Sequence, residues 1–103
     1  MTRVYIAHPY GGLAENRERA TRFFMLAAAL GYEPVAPWLI VTAHWGEERR
    51  AEGMAITLNA VRACDEIWLC GPRITPGMQD EATTCGAFCR WTTSMRRMPR
   101  GSE

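Results

Sequence analysis

The sequence carries no excess of charge of either sign: 12 basic residues stand against 11 acidic ones, for a formal net charge of +1. A field so balanced argues against nucleic acid or an anionic membrane surface as a partner. No apolar run approaches the ~20 residues of a membrane-spanning helix. There is no GxGxxG loop and no phosphate loop with its lysine, so dinucleotide and triphosphate signatures are missing. Histidine is scarce, only His8 and His44. A zinc site built on Cys64, Cys70, Cys85 and Cys89 would have to recruit further ligands from those two, so the cysteines read as small core residues and no metal or cofactor is expected. No export signal precedes the first strand pattern, which makes free thiols and a cytoplasmic setting the expectation.

What remains is a chain of 103 residues, 48% of them hydrophobic, which is one domain with a real core. A domain this small buries a modest share of its surface, so association with further copies is a natural source of stability. Arg90, Arg96, Arg97 and Arg100 cluster near the end. They read either as a solvated tail or as a phosphate contact across a subunit interface.

Residues Arg3 to Ala7 form a short buried-strand pattern, followed by the loop His8-Pro9-Tyr10-Gly11-Gly12. From Ala14 to Leu30, Ala20, Phe23, Phe24, Ala27 and Leu30 share one helical face, and Gly31 stops the helix. Glu33 to Pro37 reads as a second strand and Trp38 to Gly46 as an irregular stretch. A second helix is expected over about Glu47 to Ala63, with Ala51, Met54, Leu58 and Val61 on its apolar face. Glu66 to Cys70 is the third strand. A third helix is expected from about Met78 to Trp91, aligning Met78, Ala82, Cys85 and Cys89. The remainder, Thr92 to Glu103, has no convincing strand pattern.

The order β-α-β-α-β-α predicts a three-layer α/β domain of flavodoxin or Rossmann-like type. Its small parallel sheet has order 2-1-3, with room for one further short strand, and helices on both faces. Ligands in such sheets bind outside the carboxyl ends of the strands. Three loops meet there: the one after Ala7, the one after Pro37 and the one from Gly71 to Gly77.

In the last of these, Thr75 is a candidate hydroxyl donor to a phosphate or sugar, Gly77 permits close approach of a ligand, and Glu81 lies about one turn into a helix, where its carboxylate can face the crevice. A carboxylate there is also an ordinary partner for the helix dipole. His8 is either a ligand contact or a structural histidine. Trp38 either stacks on a base or plugs the core. Tyr5, inside the first strand, reads by itself as core.

Taken together these residues resemble the nucleoside 2-deoxyribosyltransferase superfamily. The matching pieces are Val4-Tyr5-Ile6-Ala7-His8-Pro9-Tyr10 with Asn16, then Val35-Ala36-Pro37, then Cys64-Asp65-Glu66-Ile67-Trp68-Leu69. The last is Thr75-Pro76-Gly77-Met78-Gln79-Asp80-Glu81 with Gly86 and Ala87. The likeness runs to about Trp91 and is greatest to small members of the superfamily and to the 2′-deoxynucleoside 5′-monophosphate N-glycosidases. It implies that Glu81, in a Thr-x-Gly-x-x-x-Glu run, is a nucleophile toward an anomeric carbon, with Tyr5 hydrogen-bonding beside it. It also implies that His8, Pro9, Tyr10, Gly11, Gly12, Trp38, Thr57, Thr75, Gly77 and Met78 line the substrate site. A nucleoside or its 5′-monophosphate is the implied substrate and a homodimer the implied assembly.

The sequence departs from the superfamily at Thr57. Relatives commonly carry an aspartate at that position, eight residues before the one that corresponds to Asp65. It also lacks the further strands of the superfamily, so a smaller sheet, or one whose edge a partner chain completes, is expected. It lacks too the extended C-terminus with which transferases recognise a second base, so hydrolysis is expected over transfer. A binding module that keeps the pocket without the chemistry is the alternative.

Overall fold

The computed structural model describes residues 1–9, 13–84 and 88–92. Its order is β1 (Arg3–Ala7), α1 (Ala14–Ala29), β2 (Glu33–Val35), α2 (Trp38–His44), a 3-10 turn (Glu47–Arg49), α3 (Arg50–Arg62), β3 (Glu66–Cys70), α4 (Pro76–Thr84) and β4 (Phe88–Thr92). The strands form one sheet in the order β2-β1-β3-β4, and every neighbouring pair is parallel. The expected 2-1-3 arrangement is present, and β4 is its one further strand.

Two hydrogen bonds pin the amino ends of β1 and β3 together. The Asp65 carboxylate accepts the Arg3 N–H at 2.9 Å, and the Asp65 N–H donates to the Arg3 carbonyl at 2.9 Å. Val4 to Ala7 and Ile67 to Cys70 are buried, as residues of a parallel sheet covered on both faces must be. Side chains alternate along each strand. Trp68 meets Tyr32 edge-on at 5.0 Å on one face, while Tyr5 looks toward α3 and α4 on the other.

Helix α1 buries Asn16, Ala20, Phe23 and Ala27, close to the face read from its periodicity. It ends in a paired backbone cap, Tyr32 N–H to Ala27 O at 3.0 Å and Gly31 N–H to Ala28 O at 3.1 Å, with Gly31 at φ +94°.

Three sequence expectations are corrected. First, Trp38 to His44 is helical. The run Ile40-Val41-Thr42 argues locally against a helix because branched side chains lose rotamer freedom there, but Pro37, already at φ −62° and ψ −25°, starts it in helical geometry. Second, of the expected inward face of α3, Val61 is buried and Leu58 partly so, but Ala51 and Met54 face outward. Met54 is 45% exposed and Ala51 is exposed, whereas Gly53 and Val61 are buried and Thr57 is partly so. Gly53 sets this rotation. A Cβ there would lie 2.7 Å from Val41 Cγ1, so only glycine lets α2 pack so close.

Third, the last helix does not run to Trp91: α4 covers Pro76–Thr84, and Phe88 to Thr92 is a strand in register with all of β3, from Glu66 opposite Phe88 to Cys70 opposite Thr92. The open edge of β3 recruits a segment rich in aromatic and β-branched residues. Cys89 therefore lies on a strand, and Cys85 lies outside the described residues, as do Arg96, Arg97 and Arg100.

Trp38 ties α2 to the sheet, its indole N–H donating to the Ile6 carbonyl at 2.8 Å. Trp38→Phe is expected to lower stability by about 1–2 kcal/mol through the carbonyl left without that donor, read as a lower urea midpoint at unchanged slope. Among the described residues, no helix is long and apolar enough to cross a membrane.

Candidate active site

In a sheet of this order the chain leaves β1 toward β2 on one side and returns to β3 on the other. The crevice therefore lies between the carboxyl ends of β1 and β3. His8 and Gly71 meet there. Gly71 stands at φ +99°, and a Cβ on it would fall 2.8 Å from His8 Nε2 and 3.0 Å from both His8 Cδ2 and Pro9 Cδ. Nδ1 of His8 lies 2.7 Å from the Pro9 carbonyl, which only accepts, so that nitrogen carries the proton. Nε2 is buried without a partner. Burial holds the His8 pKa below the usual imidazole value; the bond to Pro9 opposes this and the charge of Arg19 adds to it.

A second cluster of polar side chains lies on the α3/α4 face. Tyr5 is fully buried in the middle of β1, and its hydroxyl looks toward Glu81 of α4 and Thr57 of α3. Both act on its ionisation, yet it closes a hydrogen bond of standard geometry with neither. Burial, then the Glu81 charge, holds the phenol far above its ordinary range, so Tyr5 keeps its proton at any physiological pH. Glu81 is only partly exposed, and burial raises its pKa to about 7; the Tyr5 hydroxyl opposes that rise and the neighbouring Asp80 charge adds to it. The Thr57 hydroxyl donates to the Gly53 carbonyl at 2.9 Å, one turn back along α3.

Thr75 caps α4. Its Oγ1 accepts the Met78 N–H at 3.2 Å, and its carbonyl accepts the Gln79 N–H at 3.0 Å, with Pro76 in the first helical position. The cap orients α4 so that Glu81 returns toward the sheet. Gly77 is exposed near the start of α4, and its added Cβ would meet nothing nearer than Thr75 Oγ1 at 3.9 Å.

A family model described as a domain of unknown function, DUF7768, matches residues 2–90. The chain belongs to that family. No curated protein matches it.

Within this DUF7768 domain the structure brings Tyr5, Thr57 and Glu81 together, three residues that stand 52 and 24 positions apart in sequence. His8 and Pro9 lie at the crevice, on the adjoining strand end. Two other candidates sit elsewhere. Met78 is 2% exposed and Trp38 8% exposed, so Met78 is a core residue whose N–H is already taken by Thr75, and Trp38 is the core plug of its two readings. Tyr10, Gly11 and Gly12 lie outside the described residues. Sequence reasoning missed Gly71 as the seat of His8; a glycine directly after a buried strand was the available signal. A shallow depression lined by Arg3, Glu33, Val35, Ala60 and Cys64 opens at the amino ends of the strands. The Arg3–Glu33 ion pair, 2.6 Å, occupies its rim. It contains none of the Tyr5–Thr57–Glu81 cluster.

Proposed function

We propose that this domain is an N-glycosidase acting on a nucleoside or nucleoside 5′-monophosphate, with Glu81 as nucleophile. The observation that carries this reading is a partly buried carboxyl raised to about 7 beside a protonated phenol. It is supported by the resemblance of Tyr5 and the Thr75 to Glu81 run to the nucleoside 2-deoxyribosyltransferase superfamily. A carboxylate with little solvent is a better nucleophile than a hydrated one, and perturbed carboxyls in a crevice mark candidate catalytic groups.

In the proposed reaction a Glu81 oxygen forms a bond to the anomeric carbon as the bond to the base nitrogen breaks, and the base leaves with the electron pair. Water then displaces Glu81 from the anomeric carbon. Its hydroxyl stays on the sugar and its remaining proton balances the one the base gains. The Tyr5 hydroxyl faces Glu81 and, being always protonated, never competes as a charge. No cofactor is required by this scheme. A homodimer is part of the proposal, since so small a chain gains stability and can complete a crevice by pairing. A cytoplasmic setting suits the buried free thiols Cys64 and Cys70.

The test is release of free base from a panel of nucleosides and 5′-monophosphates, followed by chromatography, with Glu81→Gln alongside. Base released by wild type and not by the variant supports the reading. No release from any member, with one ligand raising the melting temperature of both proteins, supports instead a nucleotide-binding module. That second reading is favoured by Thr57, which offers no carboxylate where relatives commonly have one.

Because the nucleophile must be ionised, kcat/KM is expected to rise about tenfold per pH unit below a midpoint near 7 and to level off above it. A flat profile from pH 5.5 to 8 is the result that excludes Glu81 as the titrating nucleophile.

A further inference from the structure

The Tyr5 hydroxyl has one proton and two neighbours able to take it. Thr57 has committed its own proton to the Gly53 carbonyl at 2.9 Å, so toward Tyr5 it presents only lone pairs. Glu81 presents a carboxyl oxygen. The hydroxyl is fully buried and bonded to neither. A buried hydroxyl left without a partner is costly, of order 1–3 kcal/mol, so each state of Glu81 favours whichever acceptor is stronger.

We propose that Thr57 is a positioning residue that accepts the Tyr5 hydroxyl whenever Glu81 is neutral, and that Tyr5 turns to Glu81 when the carboxylate is free. The ionised carboxylate is the stronger acceptor and draws the Tyr5 proton toward itself. Once Glu81 carries a proton, or a sugar in the proposed glycosyl-enzyme, its negative charge is gone. Tyr5 then turns to the Thr57 oxygen, and no buried donor is stranded. Thr57 therefore acts on the nucleophile through Tyr5 and does not itself touch the reacting atoms. An aspartate here would keep the hydroxyl permanently; the neutral threonine oxygen competes only when Glu81 has lost its charge.

Among the described residues, the other ionisable groups whose charge acts on this cluster are Asp80, next to Glu81 on α4, and Cys64, after α3. Both are retained in every variant below. The inference deepens the reading of Glu81 as nucleophile, but its test follows the carboxyl directly and needs no substrate.

The experiment is a carbon-13 NMR titration of the Glu81 side-chain carboxyl in glutamate-labelled protein, the resonance being assigned by its loss in Glu81→Gln. Thr57→Val removes the alternative acceptor and so penalises the neutral form of Glu81. Its midpoint is expected to fall by roughly 0.5–1 pH unit, the worth of one hydrogen bond. Thr57→Ser restores the wild-type midpoint. Tyr5→Phe raises it, and adding Thr57→Val to Tyr5→Phe moves it no further, because the threonine has lost the group it acts through.

A midpoint unchanged in Thr57→Val, or shifted equally with and without Tyr5, overturns the proposal. Should Thr57→Val fail to fold, the pair Thr57→Ser and Tyr5→Phe still decides it: a serine midpoint away from wild type, or a phenylalanine midpoint that does not rise, is incompatible with the exchange. Base release stands as a separate measurement, so failure of the glycosidase reading and failure of this one are distinguishable.

Discussion

Glu81→Gln is expected to make the protein inactive and, above neutral pH, more stable. Loss of the nucleophile removes the covalent route, and base release is expected to fall by roughly 10³-fold or more, about 4 kcal/mol of barrier. The stability effect follows from the ionisation of the same group. Its carboxyl is raised from the ordinary 4.5 to about 7, burial being the largest cause. In the unfolded chain Glu81 ionises near 4.5, so between that pH and about 7 the unfolded state sheds a proton that the folded state retains.

Stability linked to Glu81 is therefore complete below 4.5, is lost as the pH climbs to about 7, and stays lost above it. The gap, at about 1.4 kcal/mol per pH unit, sets a ceiling of about 3.5 kcal/mol; residual contact with solvent brings the expected value to about 2 kcal/mol. The neutral amide pays no such penalty. At pH 8 the variant should melt roughly 10 °C above wild type, and at pH 4 the two should coincide. Calorimetry at both pH values checks this. Equal melting temperatures at pH 8 would mean that Glu81 ionises like a surface carboxylate and is not primed for attack. A group that weakens the fold while serving the site is the usual sign of a trade between stability and activity.

Gly71→Ala is the second large effect, and it acts through the backbone. At φ +99° a side chain is strained whatever room it has, and here it has none, with His8 Nε2 at 2.8 Å and Pro9 Cδ at 3.0 Å from the new methyl. The strain costs about 1–2 kcal/mol and the overpacking about 1–3 kcal/mol. A combined loss near ~3 kcal/mol takes a large share of the stability of a small domain. His8→Ala in the same chain should recover the part due to the ring and leave the part due to φ and to Pro9. Urea denaturation of the single and double variants separates the two. A loss below about 1 kcal/mol for Gly71→Ala would mean that the histidine does not pack against the end of β3.

Local pattern alone determined a good deal. The buried runs Val4 to Ala7 and Ile67 to Cys70, the α1 face carrying Ala20, Phe23 and Ala27, and the stop at Gly31 were all legible, because helix and strand periods and caps are properties of neighbouring residues. Their order was enough to predict a parallel sheet of order 2-1-3, since right-handed crossovers leave few alternatives. The run from Thr75 to Glu81 could be placed at a strand-to-helix turn for the same reason.

Tertiary structure decided the rest. Phe88 to Thr92 is a strand because the free edge of β3 supplies its hydrogen-bond partners, and a short apolar run does not by itself distinguish helix from strand. Thr57, and not Met54, turns inward because Gly53 lets α2 approach α3. The raised pKa of Glu81 exists only where the folded chain takes water from its carboxyl. A residue's identity makes it an acid, but its desolvation and its partners, contributed by distant parts of the chain, determine when it gives up the proton.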